Sequence, residues 1–463
     1  MLTASAAAVD RLVPAEYATI QDAINASSNG DTVILSPGTY SGIGNQNLDF
    51  AGRILTLESS DGAATTIIAP TSGHRGFVFN DNEGPLARVV DITVTLADTN
   101  SSGGSAVLIE EASPTFIDCV FSFCATTGWG GAVRVDLGAP TFSRCRFLGN
   151  SAARGGAVYF DSGVAVFIDC EFTQNSAVIA GGATNHGAQA PSDVTYTRCQ
   201  FNQNSSLNGG ACMFEDGPHS AQLLNCRFLA NRGNALGGAV QTGAGFSGGA
   251  TNCLFIFNVG ENDGRAWFDN GADELDFINC TMIGNAPSDS EKNAVVLTRA
   301  TNVTIANTII WDNGGTAINA TDAGSVNVHH SCVEGGFPGT GNIDVDPMLT
   351  PLSLTPTPMP GSPCLDAGDD AALPPSIVLD IDGAPRRVDG NADGTAVVDM
   401  GAFEAPEPPC AADLDANDAV GFSDLVLVLS SWGPCASCPA DLDGSGSVGF
   451  PDLLVILTNW GPC

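Results

Sequence analysis

The chain has 463 residues, of which 51 are acidic and 16 are basic, so its formal net charge at neutral pH is −35. A surface with this charge repels phosphate backbones and anionic lipids, which argues against nucleic acid or a membrane face as a partner. No stretch approaches the roughly 20 apolar residues of a membrane-spanning helix, so membrane insertion is not expected. The 55 glycines indicate a turn-dense β architecture.

The first twelve residues contain a short apolar run with no basic segment before it, so they do not form a complete signal peptide. We interpret residues 1–12 as the remnant of a signal or as a disordered segment. This interpretation predicts a secreted or cell-surface protein.

An amphipathic helix and a strand are predicted in residues 13–40. One apolar helical face is formed by Tyr17, Ile20, Ala23 and Ile24. The pattern resembles the N-terminal cap of right-handed parallel β-helices of the pectate-lyase kind, in which a short helix covers the open end of the core. The resemblance implies that residues 13–112 hold a cap and the first turns; an ordinary surface helix is the alternative.

A tandem repeat with a period of 25 to 29 residues follows, and its unit reads C-x-F-x-x-N before Gly-Gly-Ala. The repeated cysteines are Cys119, Cys145, Cys170, Cys199, Cys226, Cys253 and Cys280. The repeated asparagines are Asn150, Asn175, Asn204, Asn231, Asn258 and Asn285. A period of this length indicates a solenoid, because such short apolar segments bury a face only by stacking.

The leucine skeleton of leucine-rich repeats and the long amphipathic stretches of helical repeats are both missing. A right-handed parallel β-helix over residues 113–329 remains, with like residues stacked about 4.8 Å apart as ladders. The glycines are expected to mark one sharp turn per rung. One buried aromatic column is predicted from Phe147, Phe172, Phe201, Phe228 and Phe255.

The paired Gly-Gly-Ala and F-x-x-N motifs resemble the polymorphic outer-membrane-protein repeat of bacterial surface β-helices, over roughly residues 113–313. The last copy, residues 307–313, places Thr308 at the cysteine position and Ile310 at the phenylalanine position. The repeat cysteines are predicted to be packed thiols, although stacked neighbours are also within disulfide range.

The periodicity stops in residues 330–404. This segment resembles the choice-of-anchor type of tail found on secreted bacterial β-helices, and Cys364, Asp366, Asp399 and Phe403 fit that pattern. We expect it to cover the last rung, because an open solenoid end is an exposed sheet edge. A turn with Asp389, Asn391, Asp393 and Gly394 is either a Ca²⁺ site or a solvated acidic turn.

A duplicated module occupies residues 405–463, and each copy spaces oxygen donors as a Ca²⁺ loop does, before a helix at residues 423–432 or 451–460. Asp418 adds a carboxylate at the sixth position of the first loop, where glycine is usual. The predicted metal-binding residues are Asp413, Asp415, Asn417, Ala419 and Asp424 in the first loop, and Asp441, Asp443, Ser445, Ser447 and Asp452 in the second. The module resembles a type I dockerin, which implies calcium as the cofactor and a cohesin-like or other docking protein as the partner.

The module departs from the dockerin pattern at the two loop positions that the resemblance implies for partner recognition. These positions read Phe422/Ser423 and Phe450/Pro451 instead of small hydroxyl residues. The equal spacing of Cys410 to Cys435 and Cys438 to Cys463 predicts one disulfide per copy, and thus an oxidising compartment.

The solenoid shows neither the aspartates with a basic residue typical of β-helix lyases nor a Gly-His-Gly set typical of hydrolases. The five histidines, which stand in unrelated contexts, are His74, His186, His219, His329 and His330. No catalytic residue is therefore assigned. The sequence favours an extracellular binding or structural protein with a glycan or surface-adhesion role, and a polysaccharide lyase or glycoside hydrolase is the alternative.

Overall fold

The computed structural model describes residues 8–100, 103–188, 190–285, 294–351, 353–407, 410–417, 419–435 and 438–462. The chain forms two compact units. The solenoid unit holds the described residues up to 388 together with 395–405, and the C-terminal module holds 389–394 and the described residues from 406 onward. No helix within these ranges is long and apolar enough to cross a membrane.

The solenoid unit is built from parallel sheets whose neighbouring strands come from successive rungs. Sheet 1 has 13 strands: Asp10–Val13, Thr32–Leu35, Thr56–Ser59, Arg88–Val90, Thr115–Ile117, Thr141–Ser143, Gly163–Ile168, Ser192–Thr197, Ser220–Leu224, Ser247–Thr251, Glu274–Ile278, Asn302–Ala306 and Ser325–His329. Sheet 2 has 12 strands: Gly38–Tyr40, Thr66–Ile68, Thr93–Thr95, Val120–Ser122, Arg146–Leu148, Glu171–Thr173, Gln200–Asn202, Arg227–Leu229, Leu254–Ile256, Thr281–Ile283, Ile309–Trp311 and Cys332–Val333.

Two further sheets lie in the described part of the solenoid unit. Sheet 3, present only in the central rungs, has 5 strands: Ser151–Arg154, Ser176–Ala180, Ser205–Asn208, Arg232–Leu236 and Val259–Gly260. Sheet 4 has 11 strands: Leu48–Asp49, Phe77–Phe79, Val107–Glu110, Val133–Asp136, Val158–Phe160, Thr184–His186, Cys212–Phe214, Val240–Thr242, Trp267–Asp269, Val296–Leu297 and Ile318–Asn319. The predicted parallel β-helix is thus confirmed.

The predicted phenylalanine column lies buried on the core-facing side of sheet 2. Phe147, Phe172, Phe201, Phe228 and Phe255 stack with centroids 4.7–4.8 Å apart and ring planes within 5° of parallel. A second column that was not anticipated runs beside it in sheet 1, where Phe116, Phe142, Phe167 and Tyr196 stack at 4.9–5.0 Å. The two columns meet edge to face, which aromatic quadrupoles favour.

The asparagine ladder satisfies buried backbone groups at the corner after sheet 2. Asn204 donates from its side-chain amide to the carbonyl of Phe172 at 2.8 Å and to the side-chain oxygen of Asn231 at 3.0 Å. The same oxygen of Asn231 accepts the backbone N–H of Asn204 at 3.0 Å. Each asparagine therefore bridges two rungs.

The repeat cysteines are buried free thiols, as predicted. The sulfur of Cys145, for example, lies 3.5 Å from the carbonyl oxygen of Phe116 in the preceding rung. They pack as small apolar side chains with a weak S–H donor.

The two glycines of each Gly-Gly turn have different tasks. Gly155 has a φ of +60°, in the left-handed region that glycine adopts at little cost. Gly156 must lack a side chain, because a Cβ there would lie 2.1 Å from the carbonyl oxygen of Gly182 in the next rung. The turn therefore allows two rungs to stack closely, as the sequence indicated.

The N-terminal end is closed by one helix and one strand. The helix Ile20–Ala26 buries Ile20, Ala23 and Ile24, and Thr19 caps its start by accepting from the backbone N–H of Asp22. Tyr17 precedes the helix and packs partly buried against the core. Residues 10–12, expected to be a signal remnant or disordered, instead belong to strand Asp10–Val13, because its backbone pairs with Thr32–Leu35. Residues 1–7 lie outside the described ranges.

The tail extends the last rung and also folds back along the flank of the solenoid. Ile343 forms a parallel bridge to Cys332, the first residue of the last sheet 2 strand. Farther along, Phe403 packs against the outward-facing Leu254 and Ile256 of sheet 2. The tail therefore covers an apolar outer face of sheet 2, and the sequence did not predict this contact.

The C-terminal module contains the helices Phe422–Ser430 and Phe450–Thr458. Two antiparallel strand pairs join its copies, Ala419–Val420 with Gly461–Pro462 and Gly433–Pro434 with Ser447–Val448. Its buried core is small and consists of Ala412, Val420, Val428, Ala440, Val448 and Ile456.

The prediction of one disulfide within each copy is wrong. Cys435 is bonded to Cys438, with their Cα atoms 5.8 Å apart. The physical reason is that strands of the two copies pair with each other. The end of the first copy runs along the second loop, where Cys435 donates its N–H to the carbonyl of Gly446 at 3.0 Å. Cys410 is also disulfide-bonded, and Cys463 lies outside the described residues.

Candidate functional site

A corner groove forms where sheets 3 and 4 meet at the Gly-Gly turns. Its floor is the middle column of sheet 4, which reads in register Arg134, Tyr159, Asn185, Met213, Gln241 and Phe268. Its wall is the column at the end of sheet 3, which reads Trp129, Arg154, Ala180, Asn208, Leu236 and Asp263. From Tyr159 to Phe268 the floor column covers five rungs, or about 19 Å over four steps of about 4.8 Å.

One end of the groove carries an aromatic pair with an arginine. The rings of Trp129 and Tyr159 lie with centroids 4.9 Å apart and planes 31° from parallel. The guanidinium of Arg134 lies 5.5 Å from the Trp129 ring centroid, and its Nε donates to Asp161 at 2.6 Å. Trp129 remains 37% exposed while Tyr159 is buried, so the indole presents a face to solvent above a fixed support.

A second arginine spans the groove from wall to floor. Arg154 pairs with Glu215, which follows the sheet 4 strand two rungs farther along. Burial raises the pKa of the Tyr159 phenol above its ordinary value, and the negative charges of Glu215 and Asp161 raise it further. The phenol therefore keeps its proton at neutral pH.

The floor beyond this end contains polar groups without partners. Both side-chain amide atoms of Asn185 and the Oε1 of Gln241 are buried and make no hydrogen bond within the described part of the chain. Leaving such groups unpaired costs about 1–3 kcal/mol each.

The other end of the groove is a cleft of about 450 Å³. Phe268 lies on its floor, and the guanidinium of Arg299 is 5.6 Å from that ring centroid. Gln241, Asn262 and Asp263 add polar lining. The combination of a ring, an arginine and amides thus occurs at both ends of the groove.

The histidines do not contribute to this groove. His186 is sandwiched in the core between Phe160 and Phe214, at 4.5 and 4.3 Å. Burial lowers its pKa well below the ordinary value, and the neighbouring His219 lowers it further. Both rings bond the hydroxyl of Ser192 at 2.9 Å. The expectation of unrelated contexts is therefore wrong for this pair, because residues 27 to 33 apart in sequence meet within the solenoid.

The first loop of the C-terminal module gathers three of its predicted ligands. Carboxylate oxygens of Asp413, Asp415 and Asp424 all lie within 4.8 Å of one another. Asp424 is buried and accepts the N–H groups of Leu414 at 2.7 Å and of Gly421 at 2.8 Å. These backbone bonds outweigh the effect of burial and lower its pKa, so the carboxylate is charged.

The second loop repeats this geometry. Asp441, Asp443 and Asp452 bring oxygens within 4.8 Å of one another. The N–H of Gly449 and burial act in opposite directions on Asp452, and the net effect lowers its pKa. Asp441 also accepts the N–H groups of Ser445 at 3.1 Å and of Gly446 at 2.9 Å.

The donor set of each loop fits a hard cation, because three carboxylates crowd together with no basic side chain among the ligand atoms. Asn417, Ala419, Ser445 and Ser447 lie in the same loops, and their part in binding stays a prediction. Asp418 lies outside the described residues. At the turn near 389–394, Asp389 and Asn391 accept the N–H of Asp393 at 3.0 and 2.8 Å, and the calcium prediction there also stays a prediction.

Sequence reasoning identified the carboxylate loops but missed the corner groove. The available signal was the residue before and the residues after each Gly-Gly pair, such as Trp129, Arg154 and Tyr159. These side chains come together because of the angle between sheets 3 and 4, and the repeat spacing does not predict that angle.

A match to a known protein family supports the fold. Residues 75–260 match the family model described as the right-handed beta helix region. Among solved structures, the chain is similar to a mutant of the PL6 family alginate lyase AlyGC, with 12% identity, a TM-score of 0.41 and coverage of 74% of this chain and 54% of that one. It is also similar to the pectate lyase Pel9A, with 16% identity, a TM-score of 0.37 and coverage of 83% and 90%. The chain thus spans about half the length of the alginate lyase, and no curated protein matches it.

Proposed function

We propose that this is an extracellular binding protein that holds an acidic polysaccharide in the corner groove and docks to a partner protein through a calcium-dependent, dockerin-like module. The observation that carries the proposal is the Trp129–Tyr159 pair with Arg134 and Arg154 beside it. Aromatic faces stack on the apolar side of a sugar ring, and arginines pair with carboxylates.

The charge distribution supports a local site for an anion. The chain as a whole is strongly negative, with a net charge of −35. Arginines nevertheless lie at both ends of the groove, each within 6 Å of an aromatic ring centroid. A uronate carboxylate that binds at these points would share the guanidiniums with Asp161 and Asp322, whereas most of the surface would repel it, which favours binding in one place.

The C-terminal module supports a docking role through its exposed apolar side chains. Phe422 is 73% exposed and Phe450 is 63% exposed, at the two positions that the dockerin resemblance assigns to partner recognition. Trp432 and Trp460 are about half exposed. Large apolar side chains grouped at a surface favour a protein interface, and their bulk favours a partner with apolar pockets.

A polysaccharide lyase is the second candidate, because the groove joins arginines, a phenol and carboxylates. The electrostatics favour binding over catalysis. Tyr159 has a raised pKa and is a poor base at neutral pH, and the guanidiniums of Arg134 and Arg154, which are ion-paired with Asp161 and Glu215, have no lone pair that could accept a proton. A general base for proton abstraction needs a pKa near the working pH.

Calorimetric titration of the full chain with polygalacturonate, alginate and a neutral glucan tests this function. We expect binding of at least one uronate polymer, and about 10-fold weaker binding for Trp129→Ala and Arg134→Ala, from the loss of about 1.4 kcal/mol each. Trp432→Ala is the matched control, because it removes an exposed tryptophan from the other unit. Equal affinity of the Trp129 and Trp432 variants would contradict the groove, and unsaturated products would establish the lyase instead.

A further inference from the structure

A compact set of metal-ligating side chains lies at the C-terminal end of the solenoid unit, and none of them belongs to the corner groove. His329 ends the last strand of sheet 1, His330 follows it, and Asp369 comes from the tail. The Nδ1 atoms of the two histidines are 3.2 Å apart, and Nδ1 of His329 is 3.8 Å from Oδ2 of Asp369. All three ligand atoms lie within 4.8 Å of one another, and the residues are partly buried.

These separations match the coordination geometry of zinc. With bonds of about 2.0–2.1 Å, a tetrahedral ion places its ligand atoms about 3.3 Å apart. The two Nδ1 atoms stand 3.2 Å apart and Nδ1 of His329 stands 3.8 Å from Oδ2 of Asp369, near that spacing. The two nitrogens make at most one hydrogen bond between them, whereas an ion between the three groups would accept one lone pair from each of them.

The surrounding structure holds the ligands in these positions. His330 has a φ of +46°, and its N–H donates to the carbonyl of Thr340 at 2.8 Å. Gly341 lies so close that a Cβ there would be 2.4 Å from Cδ2 of the His330 ring. The constraint on the imidazole thus comes from its own backbone and from the neighbouring turn.

Asp369 is held independently of the histidines. Its N–H donates to Oδ1 of Asn307 at 2.7 Å, and its carbonyl accepts from Nδ2 of Asn307 at 3.0 Å. Its Oδ1 accepts the N–H of Ala371 at 2.9 Å, which leaves Oδ2 on the side of His329. A fixed carboxylate lowers the ordering cost of binding an ion.

We propose that His329, His330 and Asp369 bind one divalent transition-metal ion of the zinc type, which ties the tail to the last turn of the solenoid. Two imidazole nitrogens with one carboxylate suit zinc and its neighbours, whereas calcium takes oxygen ligands. Three protein ligands leave the fourth position to water or to another ligand. The ion would close the solenoid end through bonds in addition to the contacts of the tail.

The test is Zn²⁺ titration of the full chain with excess Ca²⁺ present to occupy the carboxylate loops, with Co²⁺ absorption as a readout of tetrahedral nitrogen coordination. His330→Asn is the sharpest variant, because asparagine already occupies the equivalent left-handed corner position at Asn225, Asn252, Asn279 and Asn307. We expect one tightly bound Zn²⁺ in the unaltered protein and affinity lower by on the order of 100-fold in this variant and in Asp369→Asn.

His74→Asn is the matched control, because His74 is partly exposed and its ring contacts Thr71 and Ser72 of its own turn. Its Zn²⁺ affinity and Co²⁺ spectrum should equal those of the unaltered chain. The proposal is overturned if the unaltered chain binds no Zn²⁺, or if binding persists at full strength in His330→Asn and Asp369→Asn.

Discussion

The solenoid unit and the C-terminal module are both built from repeated sequence, but they use the repetition in opposite ways. In the solenoid, each repeat stacks on an identical neighbour, so that like residues such as Phe201 and Phe228 stabilise one another directly. In the module, the two copies pair crosswise and place like-charged carboxylates inside each loop. Repetition therefore supplies stability in the first unit and creates repulsion in the second.

The difference has a physical cause in what is repeated. A stacked aromatic column gains apolar burial with each added rung and needs nothing from outside. The buried core of the module is limited to six small or medium side chains, and its two disulfide-linked copies enclose buried, charged Asp424 and Asp452. We therefore expect a unit of this kind to depend on a cation for cohesion.

Removing calcium is expected to have the largest effect, and only on the module. Calcium bound by the folded form alone stabilises it by about 4 kcal/mol per site at about 1,000 times the dissociation constant. Calorimetry of the full chain should therefore show one transition that moves to lower temperature with chelator and one that does not. A variant combining Asp413→Asn and Asp441→Asn should behave like the chelated protein. If chelator leaves the transition temperature of the module unchanged, the proposed difference in calcium dependence between the two units is wrong.

Shortening one ring of the column is expected to have the next largest effect, and only on the solenoid. Phe201 is fully buried, so Phe201→Ala should lower the free energy of unfolding by about 3–5 kcal/mol. Phe123→Ala is the matched control, because that ring is 61% exposed and its loss should change stability by less than about 0.5 kcal/mol. Chemical denaturation at saturating calcium measures both, and equal effects would mean that the column does not hold the solenoid together.

The smallest expected effect is a pH dependence of the tail. Burial raises the pKa of Asp399 to about 6 and that of Glu404 to about 7, and the charge of Asp399 contributes to the latter shift. The folded state therefore keeps protons that the unfolded chain releases near pH 4, so this stability is lost as the pH rises through the two folded values.

Thermal unfolding of the solenoid at saturating calcium should accordingly weaken by on the order of 1–2 kcal/mol between about pH 5 and pH 8. Glu404→Gln should flatten this slope, because the amide does not titrate. The module should show the reverse trend, since the pKa values of Asp424 and Asp452 are lowered and their contribution is lost only on acidification. Parallel pH slopes for the two units would contradict this assignment.

The sequence predicted those features that depend on position within a repeat. The Phe201 column, the buried thiols and the Gly-Gly turns follow from spacing alone, because in-register stacking is the only way to satisfy a common period. The sheet 1 column was missed because its phenylalanines end at Phe167 and are followed by Tyr196 and then Leu223, so no single residue type repeats along the whole column.

Features that depend on how separate segments meet were not predictable in this way. The groove arises from the angle between sheets 3 and 4, and the Cys435–Cys438 bond arises from crossed pairing between copies. The three carboxylates of each loop were predictable, because all of them lie within twelve consecutive residues. Features that follow a shared period or lie within one short loop were thus predictable, whereas contacts between segments without a common period were not.

The number of Gly-Gly turns also sets the length of the groove. Each turn adds one residue to the floor and one to the wall, as Asn185 and Ala180 do for the rung of Gly181. Because Gly156 and Gly182 meet only the backbone of the next rung, a whole repeat of this kind can be gained or lost without reshaping either end. Relatives that differ by one repeat would therefore bind chains that differ in length by about 4.8 Å, while keeping the same aromatic and arginine contacts at the ends.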